Sequence, residues 1–260
     1  MLKSYALADN KIVDASGLEA PILLFVSPDE FEQRQLIDGF AVDEHTLTSA
    51  LDPDEPPRFE IEPHHIALIF KRPRNYSAAE KFLFKVTSMG LFLFKDRLIV
   101  VMSEEVPILT GKSFSNVESL EELFLKILSI SIHHYLEHLK VITQITEEIE
   151  GLIGSSMENR YLLNLFSLEK SLVYYLSAIN SNGFTLERLK SSAAKLALTE
   201  KSFEFLDDLI IENTQSYRQA EIYSNILASL MDARVSIVSN NLNILMKTLN
   251  LVTIVIMVPT

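Results

Sequence analysis

Cysteine is absent from the 260-residue chain. That excludes a disulfide scaffold, a thiolate metal centre and a cysteine nucleophile, and it fits a reducing cytoplasm. Positive charge is scarce: Lys and Arg number 23 against 35 Asp and Glu, a net charge of −12. A nucleic-acid binder needs a basic surface for phosphate, so no nucleic-acid partner is expected. The acidic balance suits a protein that handles cations, although it is shared by many soluble proteins. Residues Met1 to Asp9 lack the long apolar run of a signal peptide.

Proline and glycine are missing from one half. Eight of the 9 prolines lie between Pro21 and Pro107, the ninth is Pro259, and the last glycine is Gly183. Proline costs a helix interior about 3 kcal/mol and glycine about 1. The spacing therefore predicts a mixed α and β first part and long helices after it. The fold class expected is α+β: an N-terminal α/β domain with a mostly antiparallel sheet, then a helical region. The boundaries are 1–115, 116–245 and 246–260.

Apolar material is ample, at 48%. In the first part, apolar runs predict strands at Pro21–Val26, His65–Lys71, Phe82–Val86, Leu91–Phe94 and Leu98–Met102. Lys95-Asp96-Arg97 reads as a hairpin turn. Ser27 is expected to cap a helix starting at Pro28, with Asp29 and Glu30 favoured by the helix dipole. A second helix is expected over Asp43–Leu51. Asp52 to Pro57 is a stiff connection, since proline disfavours helix in the residue before it.

In the second part, helices are expected over Ser119–Ile149, Asn159–Ile179 (ending near Asn182-Gly183), Thr185–Leu198, and from Ser202 to the C-terminus. Ala220, Tyr223, Leu227, Leu230, Val235, Val238, Leu242, Leu245 and Leu249 recur mostly every three or four residues and form an apolar stripe. A stalk helix of about 55 residues is roughly 80 Å long. A core of this size does not cover such a helix, so it must pack on other helices, on other subunits, or continue elsewhere.

After Arg234 the only charged residue is Lys247, and the chain then runs Thr-Leu-Asn-Leu-Val-Thr-Ile-Val-Ile-Met-Val-Pro-Thr. A membrane-spanning helix needs about 20 apolar residues. The expectation is a first membrane span cut near its start; the competing reading is a buried C-terminal helix.

The stretch Asn243 to Pro259 resembles the start of the pore helix in CorA-type magnesium and cobalt channels. Ser229 to Asn240 resembles that family's approach to the pore. Leu206-Asp207-Asp208-Leu209 with Gln215 fits the start of its long helix, and Leu51 to Glu60 resembles its loop before a strand. The element order matches over nearly the whole chain; the specific match is in about the last 60 residues. The family's Gly-Met-Asn signature follows the first span and does not occur in this sequence.

The resemblance implies the cytoplasmic part of a homopentameric channel in the inner or plasma membrane, not an enzyme. Mg²⁺, with Co²⁺ possible, is the transported and regulatory ion. The family pattern makes Asn243 a polar pore ring and Met246, Leu249 and Met257 an apolar constriction. Asp232 would ring the pore mouth with carboxylates. Mg²⁺ binds oxygen ligands and holds its water tightly, and apolar rings close a pore by dewetting. The family also senses intracellular Mg²⁺ between subunits. Asp208 matches one acidic partner, while the positions of the other carry Thr48 and Ser49, which are uncharged. Asp43, Glu44, Asp52, Asp54 and Glu55 are nearby substitutes. Asn250 stands where the family has threonine.

Other motifs carry less. His134-Tyr-Leu-Glu137-His138 fits an inverted zinc-protease pattern but lacks an identifiable third ligand. It leaves a zinc hydrolase as a minor alternative, beside a soluble helical protein that oligomerises through the stripe. Gly111-Lys112-Ser113 lacks the glycine a phosphate loop needs five residues earlier. His64 and His65 are a pair beside a strand, where adjacent residues face opposite sides, so a shared metal is not expected. Asn75-Tyr-Ser77 matches a glycosylation acceptor without a secretory setting. Glu147, Glu148 and Glu150 read as an exposed helix tip, either solvated or recruiting cations.

Overall fold

The computed structural model describes residues 1–76, 82–106, 108–109, 111, 114–153, 159–193 and 198–257. Seven strands among them form one sheet: β1 (Leu2–Ala8), β2 (Lys11–Ala15), β3 (Ile22–Val26), β4 (Arg58–Ile61), β5 (His65–Pro73), β6 (Val86–Phe94) and β7 (Leu98–Met102). Their order is β2-β1-β3-β7-β6-β5-β4. The β3–β7 pair is parallel and the other pairs antiparallel. The fold is α+β, with a mixed, mostly antiparallel sheet.

The central strands β3 and β7 are buried along their whole length. Alternate residues feed two cores. Ile22, Leu24, Leu68, Leu91 and Val100 face long helices, among Leu123, Leu128, Leu186 and Leu206. Leu23, Phe25, Ile69, Ile99 and Val101 face the other way, toward Leu36, Leu47 and Ala50. That second face is covered by α1 (Glu30–Arg34), which runs into a π-helical turn over Gln35–Gly39, and by α2 (Glu44–Leu51). Helix α2 lies so close to β6 that a Cβ at Gly90 would sit 2.6 Å from the Ala50 Cβ.

Three long helices follow: α3 (Leu120–Ile153), α4 (Asn159–Ser191) and α5 (Glu200–Met257). A third core joins them, with Tyr135, Leu139, Leu168, Tyr175, Ala220 and Leu227 buried together. Helix α5 has 58 residues, so it is roughly 87 Å long at 1.5 Å per residue.

Several sequence expectations are corrected. The α1 cap is Asp29, not Ser27: Asp29 accepts from the Glu32 backbone N–H, and the Glu32 carboxylate accepts from the Asp29 N–H. Ser27 has φ 45°, outside the extended region a cap residue adopts, and its N–H donates to Met102 O at 2.7 Å. The expected strand at Phe82–Val86 is absent; β6 begins at Val86. Phe84 belongs to the helices instead, its N–H donating to Ser171 Oγ at 2.8 Å. Strands β1, β2 and β4 are additions.

The largest correction concerns α4. It does not stop at Asn182-Gly183 but runs through to Ser191, absorbing the start of the separate helix expected at Thr185–Leu198. Gly183 is a contact residue, not a terminator: a Cβ there would lie 3.0 Å from Asn213 Nδ2 on α5. The rest of that expected helix falls partly on 194–197, outside the described residues, as do Gly154, Lys112, Ser113, Ser77 and Pro259. Asp43, expected as the first residue of the second helix, instead caps α2, accepting from Thr46 N at 2.9 Å, and Phe94 N donates to Arg97 O across the expected hairpin.

Candidate pore helix and cation-binding residues

Two different environments divide α5. Up to Leu227 its inner face is buried, with Leu206, Leu209, Asn213, Ser216, Ala220 and Leu227 against the rest of the chain. From Val235 to Met257, every side chain the structure describes is exposed. Val235, Leu242, Leu245, Met246, Leu249, Leu251, Ile254 and Met257 are all more than half exposed in that stretch. The expected stripe is therefore covered over its first part only, and the tail is not tucked against the chain's own sheet. Among the described residues, no helix is long and apolar enough to cross a membrane.

Asn243, Met246, Leu249 and Met257 all lie on this uncovered part of α5, and Asp232 lies just before it, exposed. At about 100° per residue these five fall within an arc of about 120° of the helix surface. One helix face thus presents a carboxylate, then an amide, then thioether and aliphatic side chains. Asp208, also exposed, lies about a third of a turn around from Asp232 on the same wheel. Its neighbour Asp207 is bound by Lys190 Nζ of α4 at 2.8 Å. Asp208 and Asp232 have no side-chain hydrogen bond or ion pair among the described residues.

Thr48 and Ser49 are both occupied within the chain. Thr48 Oγ1 donates to Glu44 O at 2.9 Å. Ser49 is buried, donates to His45 O and accepts from Arg58 Nη2 at 3.0 Å. Arg58 also reaches Thr46 Oγ1 at 3.3 Å, His45 Nε2 at 3.2 Å and Glu55 Oε1 at 3.5 Å. A guanidinium therefore stands against the end of α2 where the resemblance expects acid. Of the nearby substitutes, Asp43 is used as a cap, and its pKa is lowered chiefly by the Thr46 N–H. Asp52 Oδ1 accepts from Asp54 N, and Glu55 is drawn to Arg58. The Glu44 and Asp54 carboxylates make no hydrogen bond or ion pair among the described residues, although Asp54 lies near enough to the Lys71 ammonium to act on it by charge. The Arg58 network was missed in the sequence; the one cue is an arginine directly after Pro56-Pro57.

The zinc pattern does not assemble. His138 is buried, with Nδ1 2.5 Å from the Tyr175 hydroxyl, and its ring meets His134 with centroids 4.3 Å apart. Burial, helped by the His134 charge, pushes the His138 pKa down to about 4. Glu137 points into solvent. Among the described residues, no three His, Asp or Glu side chains converge to hold a metal. His64, just before β5, is exposed and His65, its first residue, is buried. Glu147, Glu148 and Glu150 are exposed around the buried Ile149 near the far end of α3.

A sheet domain that hands its chain to a long helix, bare and apolar at the far end, defines a class of subunit whose stalk must be covered by something other than itself. Residues 22–260 match the family model described as CorA-like Mg2+ transporter protein, and the chain belongs to that family. A curated relative, the cobalt/magnesium transport protein CorA of Methanocaldococcus jannaschii, is 22% identical over 246 residues, which is 89% of this chain and 74% of that protein. The complete structure of the CorA magnesium transporter from the same organism superposes with a TM-score of 0.81 at 20% identity, covering 99% of this chain and 83% of that one. The soluble domain of that CorA gives 0.77 at 21% identity, covering 90% and 96%. At these identities the superpositions establish a shared fold.

Proposed function

We propose that the chain is the cytoplasmic and pore-mouth portion of a homopentameric divalent cation channel in the inner or plasma membrane. Its cargo is Mg²⁺, with Co²⁺ as a second substrate. Residues 1–115 form the regulatory α/β domain, 116–245 the stalk region, and 246–260 the start of the first membrane span. The observation that carries this reading is the uncovered apolar end of α5, from Val235 to Met257. Family membership supports the ion and the transport role.

In this reading five copies of α5 surround an axis. Asp232 concentrates cations at the mouth by charge, as focused fields do. The Asn243 amides meet the hydrated ion, because Mg²⁺ gives up water reluctantly and is read through its water shell. Met246, Leu249 and Met257 form the apolar constriction that closes by dewetting. Asp208 supplies one carboxylate of an inter-subunit sensing site. Its partner comes from Asp54 or Glu44, because the Thr48 and Ser49 positions carry no charge and Ser49 is held by Arg58.

The test is ion flux through the protein as its gene encodes it, reconstituted in liposomes. Wild type is expected to take up Mg²⁺; Asn243→Ala is expected to lose ion discrimination and Asp232→Ala to lower uptake several-fold at low Mg²⁺. Wild-type protein that inserts but carries no divalent cation would sink the proposal, and protein that does not insert would favour a soluble helical oligomer.

A further inference from the structure

Beyond Ile69, no strand among the described residues pairs with β5 on the β4 side. The open backbone there is closed by one side chain. Asn182 of α4 accepts from Lys71 N at 2.9 Å and donates to Lys71 O at 2.7 Å, all of it buried. An amide here takes the place of a strand.

Lys71 reaches the other way with its own side chain. It is buried, and its Nζ donates to Pro53 O at 2.5 Å and to Ser88 Oγ at 3.0 Å. Ser88 Oγ in turn donates to Asp52 O at 2.5 Å. Two carbonyls of the acidic connection after α2 are thus drawn inward, while the Asp52 and Asp54 side chains stay exposed.

One turn from Asn182, α4 is gripped by α5. Asn213 Nδ2 donates to Ile179 O at 2.9 Å, and Gly183 leaves room for that amide. Asn213 Oδ1 is buried with no hydrogen-bond partner among the described residues. A leucine at 213 would avoid that cost, since an unsatisfied buried acceptor is destabilising. The amide instead ties one point of α5 to one backbone carbonyl of α4, a directional contact that apolar packing does not supply.

We propose that Lys71, Asn182 and Asn213 form a polar relay coupling the Asp52–Glu55 connection to the stalk helix. Displacement of that connection moves Lys71, Lys71 moves α4 through Asn182, and α4 carries α5 through Asn213. Under the transport reading, on which this role rests, the relay carries a regulatory movement from the sheet domain to the pore helix. Spatial continuity alone does not establish coupling, so the test measures coupling directly.

Hydrogen–deuterium exchange is followed on the 260-residue chain for wild type, Lys71→Met, Asn213→Ala and the double variant. Lys71→Met is expected to speed exchange about tenfold in the α5 stretch 209–217, although Lys71 shares no hydrogen bond with α5. In the Asn213→Ala background the same change is expected to have no further effect there. Asn182→Asp, which keeps the acceptor and loses the donor, is expected to mimic Lys71→Met should that variant express poorly. Unchanged α5 exchange in Lys71→Met and Asn182→Asp, or independent addition of the two effects in the double variant, would overturn the relay. Flux plays no part in this readout, so failure of the relay and failure of the transport reading are separable.

Discussion

The imidazole of His138 on α3 meets the hydroxyl of Tyr175 on α4 at 2.5 Å, inside the core that joins the helices. Phe84 packs edge-on against both rings, at 5.2 Å and 6.5 Å between centroids. The site is apolar enough to keep His138 neutral, and that has a consequence for pH.

Unfolded, His138 titrates near 6.5; folded, its pKa is about 4. Above the unfolded value both states are neutral and the folded state keeps its full stability. As pH falls toward 4 the unfolded chain takes up a proton that the folded chain refuses, so stability is lost across that window. The loss reaches about 3 kcal/mol by the end of it. Urea unfolding at pH 7.5, 6 and 4.5 should show this, and His138→Phe should flatten the decline. A wild-type midpoint that does not move with pH would contradict it.

Gly90→Ala should destabilise the chain by about 2–3 kcal/mol, because the added methyl meets Ala50 of α2 and neither backbone can withdraw. Thermal melting reads the effect. The compensating pair Gly90→Ala with Ala50→Gly should recover part of it.

Arg58→Ala should cost about 1–3 kcal/mol, since buried Ser49 loses its donor and Glu55 and Glu60 lose their cation. Thr48→Asp, on the exposed side of the same helix, should leave stability near wild type. Denaturant midpoints for the two variants should therefore separate.

The bare end of α5 should drive self-association at micromolar concentration. Leu245→Glu with Leu251→Glu should shift sedimentation toward smaller species without altering the melting of the sheet domain, because neither side chain contacts it.

Much of this architecture is readable in the residues. Continuous apolar runs mark β3 and β7, and the loss of proline and glycine marks α3 and α5. The start of α2 near Asp43 is legible because its signals are local. Two of the errors share one cause: tertiary contacts overrode local signals. Gly183 looks like a helix terminator, yet Asn213 needs the space above it. Phe84 looks like strand, yet its partners lie 54 and 91 residues on, at His138 and Tyr175. Strands β1 and β2 alternate weakly and are only half buried, so their pattern is faint. That Asp208, Asp232 and Asn243 lie on α5 is readable from the long helix expected after Ser202, while their selection as site residues rests on the family resemblance. Arg58 facing Ser49 was not readable, because the bond joins α2 to β4 across a turn.

No proline or glycine interrupts α5, and its sheet-side third is clamped while its far third stands clear. Such a rod works as a lever. A tilt of about 5° at the clamped end sweeps the free end through roughly 8 Å over its length. Very small adjustments beside the sheet are therefore enlarged, at the distal tip, to more than the width of a water molecule.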